Sequence, residues 1–510
     1  MSRTVAAFFF VAALAAAPAR TFAADAPAPI SIRVYHTNDV HGWIMARPDK
    51  LEPGRQVGGA PALKALLDKD SNPKLVLDAG DWWQGTPEGS LTKGEAVAEV
   101  FNAIGYDAVE VGNHEFDSGA DALRSLIGKM GMPVLAANVY GPDGKHVTWT
   151  KQRVIKEVAG VKFGIFGLLT VHMDKLAFPK NIAGLTFRRE ADEARDQVKA
   201  LRKEGADVIV AVTHVGYEEP DKPAFEGDQT IAREVDGIDL IVGGHSHTPL
   251  AHAWRDPAHG TLVVQAGSYL TKVGRTTLKI DPATHRVVSA SDELLELRPD
   301  RLGEDPVVKA IVDKREADLG EAFKLVVATA SADMNRGAPD VESGLGSWMA
   351  DCYRDQTGAD AAFQNGGGIR ADVAAGPVTL RHLFGVMPFD NALVKLRMTG
   401  AQVRSALDHG VGSARLIQIS GAAAEYHRGK PRGERLVSAT VGGAPLDDAK
   451  TYSVATLDFL VMGGDGYTEF GEAASAEPTG LLARDALRAC AEKQKLISPP
   501  PSGRLKDLGN

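Results

Sequence analysis

Five short polar motifs punctuate the first half of this 510-residue chain, and each closes a run of Val, Ile, Leu or Ala. They are Asn38-Asp39-Val40-His41-Gly42, Gly80-Asp81, Gly112-Asn113-His114-Glu115, Val212-Thr213-His214 and Gly244-His245-Ser246-His247. A chain that turns repeatedly from buried apolar runs into polar residues gathers its chemistry at strand ends of an α/β scaffold. The runs Ile32–Val34, Leu75–Leu77, Ala108–Val111, Val134–Ala136, Phe163–Phe166, Val208–Val212 and Leu240–Val242 read as short buried strands. Amphipathic stretches at Pro61–Leu67, Ala96–Ile104 and Arg189–Glu204 alternate with them. Val263–Gln265 and Gly274–Ile280 read as closing strands of a second sheet.

The residue types at these ends favour metal binding. Asp39 and His41 are two apart, as are His245 and His247, so each pair points one way from an extended segment. Asp81 follows a glycine that permits a sharp turn, and its two carboxylate oxygens suit it to bridge two cations. Asn113 offers a neutral carbonyl oxygen and His214 an imidazole. Hard oxygen and imidazole donors suit a pair of divalent metals, and a dimetal site implies hydrolysis of a phosphate-type ester. A lone histidine or Gly-Asp pair is ordinarily a core residue or a turn. Five such motifs in this order are not explained that way.

The order D-x-H, G-D, G-N-H-E, H and G-H-x-H resembles the calcineurin-like metallophosphoesterase superfamily. Gln84-Gly85-Thr86-Pro87 and Phe116-Asp117 make it similar to the 5′-nucleotidase and UDP-sugar hydrolase family within it. The resemblance implies one metal held by Asp39, His41, Asp81 and His247, and a second by Asp81, Asn113, His214 and His245. Some periplasmic members carry Gln where this chain has His247; histidine remains a competent ligand. Zinc or manganese is implied, with cobalt also accepted. His114 resembles the family's catalytic histidine, oriented by Asp117. The local chemistry agrees: a carboxylate beside an imidazole favours its protonated form, and a cationic donor stabilises developing phosphoryl charge.

The second half carries a different set. Asn365-Gly366-Gly367-Gly368-Ile369-Arg370 combines glycines that let backbone approach a ligand with an arginine that can grip phosphate. Pro388-Phe389-Asp390-Asn391 and Phe459 through Gly464-Asp465-Gly466-Tyr467 put two phenylalanines beside such loops, where a flat base could stack. These segments resemble the family's C-terminal domain. By that match Asn365 and Arg370 contact the sugar or phosphate, Phe389 and Phe459 sandwich the base, Asp465 holds the ribose and Asn391 touches the base. Arg336 lies near and has no secure match. The basic stretch His427–Arg435 reads as a solvated hairpin turn.

The resulting fold expectation is α/β with two domains. Residues 30–298 form a four-layer metallophosphoesterase β-sandwich flanked by helices, residues 299–324 a linker helix, and residues 325–510 an α/β 5′-nucleotidase C-terminal domain. The family's hinge rotation would pivot on the charged helix Asp305–Phe323. Residues 1–23 have the charge and apolar run of a cleaved signal peptide, so the mature chain is expected to be periplasmic or secreted. The C-terminal residues lack a hydrophobic tail, so no membrane anchor is expected. A net charge of −9 excludes a phosphate-backbone binder of nucleic acid. Cys352 and Cys490 are the only cysteines, and either one disulfide or two buried thiols fits the sequence.

The reaction implied is release of phosphate from nucleoside 5′-monophosphates by in-line attack of a metal-activated water, by a monomer acting on a small-molecule substrate. UDP-sugars, 2′,3′-cyclic nucleotides and 3′-nucleotides are alternatives with the same chemistry. A sulfur-oxidation thiosulfohydrolase shares the scaffold, but its sulfate donor has no base for the two phenylalanines. A non-catalytic nucleotide-binding protein predicts a damaged metal set, whereas every position is filled here.

Overall fold

The computed structural model describes residues 28–49, 52, 54–218 and 226–509. The expected signal peptide, residues 1–23, lies outside the described residues. Two six-stranded sheets form the first domain. One runs Val287–Glu296, Lys272–Ile280, Ile30–Thr37, Lys74–Asp78, Ala108–Glu110, Val134–Leu135. The other runs Trp254–Arg255, Leu262–Val264, Leu240–Gly243, Val208–His214, Val161–Leu169, Arg153–Val158. Their inner faces meet through Ile32, Val34, Leu77, Phe163, Val210 and Leu240, all buried. Helices cover both outer faces, with Leu63, Val97 and Phe101 on one side and Ala194, Leu201 and Ile231 on the other. The four-layer expectation therefore holds.

Parallel register brings the motifs together. Thr37 pairs with Asp78 and Asp78 with Val109, so the first three motifs leave adjacent strands side by side. Thr213 pairs with Gly243, which aligns the last two. One strand expectation is corrected. Gly274–Ile280 does not join the sheet of Val263–Gln265: Lys272–Ile280 pairs antiparallel with Ile30–Thr37 in the first sheet, and Leu262–Val264 lies in the second. Apolar alternation fixes a strand's faces, whereas its partner is chosen by long-range register.

The charged helix is Pro306–Asp318, capped by the Asp305 carboxylate, which accepts the Val308 N–H at 2.8 Å. It is not wholly solvated. Val308 and Val312 are buried against helices Ala60–Lys69 and Glu95–Ile104, and Arg315 holds Glu99. The helix thus packs on the first domain, and the short turn Glu321–Lys324 after it packs on helix Leu380–Val386 of the second.

The second domain has a five-stranded sheet, ordered Gln418–Ser420, Ala361–Gln364, Thr451–Leu457, Ala392–Thr399, Ser475–Leu482, with a smaller four-stranded sheet beside it. His427–Arg435 joins two antiparallel strands of the smaller sheet, as expected of a hairpin turn. Cys352 on helix Gly344–Thr357 and Cys490 on helix Ala483–Gln494 form a disulfide that closes a loop spanning 138 residues. Replacing both with alanine is expected to lower unfolding free energy by about 2–4 kcal/mol, largely by freeing the unfolded chain. Urea unfolding of the whole chain measures it; an unshifted midpoint would leave the bridge without a stabilising role. Among the described residues no helix is long and apolar enough to cross a membrane.

Candidate active site

The strand ends deliver their side chains by unusual backbone. Asp39, His41, Asp81, His245 and His247 all have positive φ, between 49° and 75°. Such left-handed conformations cost energy in L-residues and concentrate at sites that over-determine them. Two glycines make the crowding possible. A Cβ on Gly80 would lie 2.7 Å from Nδ1 of His214, and one on Gly112 would lie 2.2 Å from Oδ1 of Asp81. Glu115 ties these turns together by accepting the backbone N–H groups of Asp81, Trp82 and Gly112 at 2.7–2.9 Å.

Two ligand groups result. In one, Asp39, His41 and His247 bring their donor atoms within 4.8 Å of one another; in the other, Asp81, His214 and His245 do the same. Oδ2 of Asp81 lies 3.6 Å from Nε2 of His41 and 3.2 Å from Nε2 of His214, so this carboxylate faces both groups. Oδ1 of Asn113 is 2.9 Å from Nδ1 of His245 and 3.2 Å from Nε2 of His214.

The donor set fits divalent cations on the chemistry of its atoms. Backbone carbonyls carry no proton, so His41 Nδ1–H donates to Gln84 O and His214 Nδ1–H to Ala79 O, each at 2.7 Å. Each Nε2 is thereby aimed inward, the usual outer-shell orientation of a metal-ligating imidazole. Nε2 of His247 faces both Nε2 of His41 at 3.0 Å and the buried Oδ1 of Asp39 at 3.1 Å. Burial holds His41 and His247 below the ordinary imidazole range and His245 at about 3; at His214 burial is outweighed by Asp81, which raises that imidazole to about 10. Burial acts to raise Asp39 and Asp81, but the surrounding imidazoles hold both below the usual carboxylate range.

His114 stands beside these groups. Its backbone N–H reaches Oδ1 of Asp81 at 2.9 Å, and its Nδ1 contacts Oδ2 of Asp117 at 2.9 Å. Burial lowers the imidazole, yet Asp117 and Asp81 outweigh it and hold His114 above its ordinary value. Burial also lifts Asp117. Two carboxylates face the imidazole, so it is the favoured holder of the proton.

The second domain reaches into the same place. Nη2 of Arg370 is 2.9 Å from Nε2 of His41, and the ring of Phe389 is 5.6 Å from that of His114. Arg370 also lies 5.9 Å from the Phe389 ring centroid. Asn365 Nδ2 donates to Oδ2 of Asp465 at 2.6 Å, and Asp465 adopts a left-handed φ of 53°. Phe459 meets Phe178 of the first domain edge-on at 5.9 Å. Asn391 is buried, and its backbone carbonyl accepts the Ala483 N–H at 2.8 Å. Arg336, unmatched in the sequence, approaches the Tyr269 hydroxyl at 3.5 Å. Tyr269 was legible in principle, because Gly267-Ser268-Tyr269 follows a strand like the other motifs, but it lacks a metal donor to announce it. Its ring lies 5.7 Å from His41 and 5.4 Å from His247.

Comparison with known proteins agrees with this arrangement. Residues 32–249 match the calcineurin-like phosphoesterase family, and residues 326–472 match the 5′-nucleotidase C-terminal domain. Protein UshA of Yersinia enterocolitica is 29% identical, covering 97% of this chain and 96% of that protein. A 5′-nucleotidase of Diplobatis ommata is 28% identical over 96% of this chain and 92% of its own length. The crystal structure of a 5′-nucleotidase precursor from Thermus thermophilus superposes with a TM-score of 0.87 at 28% identity, covering 94% of this chain and 99% of that one. The Thermus thermophilus sulfate thiohydrolase SoxB superposes with a TM-score of 0.81 at 19% identity, a likeness of fold alone. The chain belongs to the calcineurin-like phosphoesterases that carry a 5′-nucleotidase C-terminal domain, and it is a metal-dependent phosphoric ester hydrolase.

Proposed function

We propose that this chain is an exported 5′-nucleotidase, releasing inorganic phosphate from nucleoside 5′-monophosphates at a site of two divalent cations, zinc or manganese, with cobalt also competent. One observation carries the reading: Arg370 and Phe389 of the second domain stand against His41 and His114 of the first. A phosphate and a base are thereby addressed in one cleft.

Asp39, His41, Asp81 and His247 would hold one cation, and Asp81, Asn113, His214 and His245 the other. The cations supply Lewis acidity toward the phosphoryl oxygens and a water nucleophile usable at neutral pH. The remaining steps belong to the side chains. Arg370 grips the phosphate with its guanidinium fork. His114, kept protonated by Asp117, donates a charged hydrogen bond to a phosphoryl oxygen as negative charge grows there. Phe389 and Phe459 stack on the base, Asn391 meets its edge, and Asp465, steadied by Asn365, accepts from the ribose hydroxyls. Attack in line with the bond to the ribose oxygen then expels the nucleoside, without a covalent enzyme intermediate.

The test is a phosphate-release panel with AMP, other 5′-mononucleotides, UDP-glucose, 2′,3′-cyclic AMP, a 3′-nucleotide and ribose 5-phosphate, with zinc, manganese or cobalt. AMP is expected to be turned over with the highest kcat/KM. Phe459→Ala is expected to raise KM for AMP by about tenfold, since a stacked base is worth ~1–3 kcal/mol, and to leave ribose 5-phosphate unaffected. Equal losses on both esters would remove Phe459 from base recognition. No release from any ester would sink the nucleotidase reading.

A further inference from the structure

After the strand Val161–Leu169 the chain leaves the second sheet and reaches the second domain before helix Glu190–Lys203. Its first turn is anchored, because Met173 and Ala177 are buried in the same core cluster as Phe116, the residue before Asp117. The helical turn Met173–Leu176 lies against the turn Gly464–Gly466, which carries Asp465. Phe178 follows, half-buried, and meets the Phe459 ring at 5.9 Å with the two planes 78° apart. A Cβ on Gly464 would lie 2.4 Å from the Phe459 ring, so a glycine there lets the turn close on that ring.

Within three residues the same segment returns to the catalytic groups. The Asn181 N–H donates to the Phe178 carbonyl at 2.8 Å, and Asn181 Nδ2 donates to the Asp117 carbonyl at 2.8 Å. Asp117 in turn meets Nδ1 of His114 at 2.9 Å. Direct contacts therefore run from Phe459 through Phe178, Asn181 and Asp117 to His114. Asp117 closes the four-residue turn Asn113–Phe116, a 3₁₀ turn whose hydrogen bonds are poorer than those of an α-helix, so a bond from outside helps to fix it. Lys180 lies 5.6 Å from the Phe178 ring centroid. Burial raises the Asp458 carboxyl; the N–H groups of Ala392 and Phe459, at 3.1 and 2.9 Å, and the charge of Lys180 oppose that rise. The segment thus touches the base side of the cleft at two points and the dyad at one.

We infer that residues 173–182 couple base recognition to catalysis, with Phe178 and Asn181 as positioning residues that act through Phe459 and Asp117. The inference rests on the nucleotidase reading and adds to it how the base affects the rate. A base stacked on Phe459 orders that ring, and the ring orders Phe178 and the turn to Asn181. The Asn181 bond then holds Asp117, and with it His114, in the orientation that donates to the phosphoryl oxygens. Binding energy from a group remote from the reacting bond is thereby used in the transition state. A sugar phosphate without a base leaves Phe178 unbraced and forgoes that gain.

The test measures kcat and KM for AMP and ribose 5-phosphate on the full chain, with metal content of each variant. Phe178→Ala and Asn181→Ala are each expected to lower the ratio of kcat on AMP to kcat on ribose 5-phosphate by about tenfold, at unchanged metal content. The double variant should fall no further, because both residues serve one line of contacts. Phe178→Leu keeps apolar bulk without the ring and should share the loss, whereas Asn181→Gln keeps the donor and should recover part of it. A partly unfolded variant loses turnover on both esters alike, so the ratio is insensitive to it. Phe459→Ala should show the same fall in the kcat ratio beside its rise in KM. A change confined to KM, equal losses on both esters, or losses that multiply in the double variant overturn the coupling and leave the nucleotidase reading standing. So does an unmodified enzyme with equal kcat on the two esters. No turnover of AMP overturns that reading and the coupling with it.

Discussion

Asp81→Asn is expected to lower kcat by at least about 10³-fold and to reduce bound metal below two equivalents. Asp81 is the one carboxylate that faces both ligand groups, with Oδ2 at 3.6 Å from His41 and 3.2 Å from His214. Asparagine keeps the shape but removes the negative charge that two cations would share, and it can turn a proton-bearing nitrogen toward them. The loss should exceed that at Asn113 or His247, each of which serves a single cation in the proposed assignment. Metal analysis of the purified variant, with kinetics on AMP, decides it. Metals bound only by the folded chain also stabilise it, so zinc or manganese should raise the thermal midpoint of the chelated wild type more than that of the variant. Two bound equivalents with more than a tenth of wild-type turnover would show that Asp81 does not bridge.

His114→Ala is expected to cost about 10²–10³ in kcat while leaving metal content and KM nearly unchanged. The imidazole points to Asp117 at 2.9 Å, and its ring stands 5.4 Å from that of His41, so it lies beside the ligand groups. In the proposed mechanism it presents a charged hydrogen bond to the phosphoryl oxygens. That interaction strengthens in the transition state and so appears in kcat. Asp117→Asn should give a smaller loss in the same parameter, because the proton is less well held. Loss of metal from the His114 variant would mean that His114 is a ligand after all.

Much of the first domain was legible because its signals are local. A short apolar run closed by Gly-Asp or Gly-Asn-His-Glu announces a strand and the chemistry at its end, and the order of five such ends identifies the family. The sheet that strand Lys272–Ile280 joins is not legible in the sequence, because nothing in its alternating residues names Ile30–Thr37 as its neighbour. The charged helix Pro306–Asp318 looked solvated because only Val308 and Val312 mark its buried face. The disulfide was undecidable from spacing alone, since pairing Cys352 with Cys490 depends on two helices 138 residues apart in sequence lying side by side. Tyr269 and Arg47 belong to no motif, and only the tertiary structure brings them together on one cavity wall.

The sequence by itself determined which donors exist, Asp39, His41, Asp81, Asn113, His214, His245 and His247, and that each ends a buried strand, because composition and periodicity act over a few residues. Tertiary structure alone decided which donors face one another, which imidazole nitrogen turns inward, and which arginines share a cavity across the cleft. Those outcomes depend on parallel register, on the Gln84 and Ala79 carbonyls that take the outer imidazole protons, and on the packing of one domain against the other. All of them are long-range contacts that no local pattern encodes.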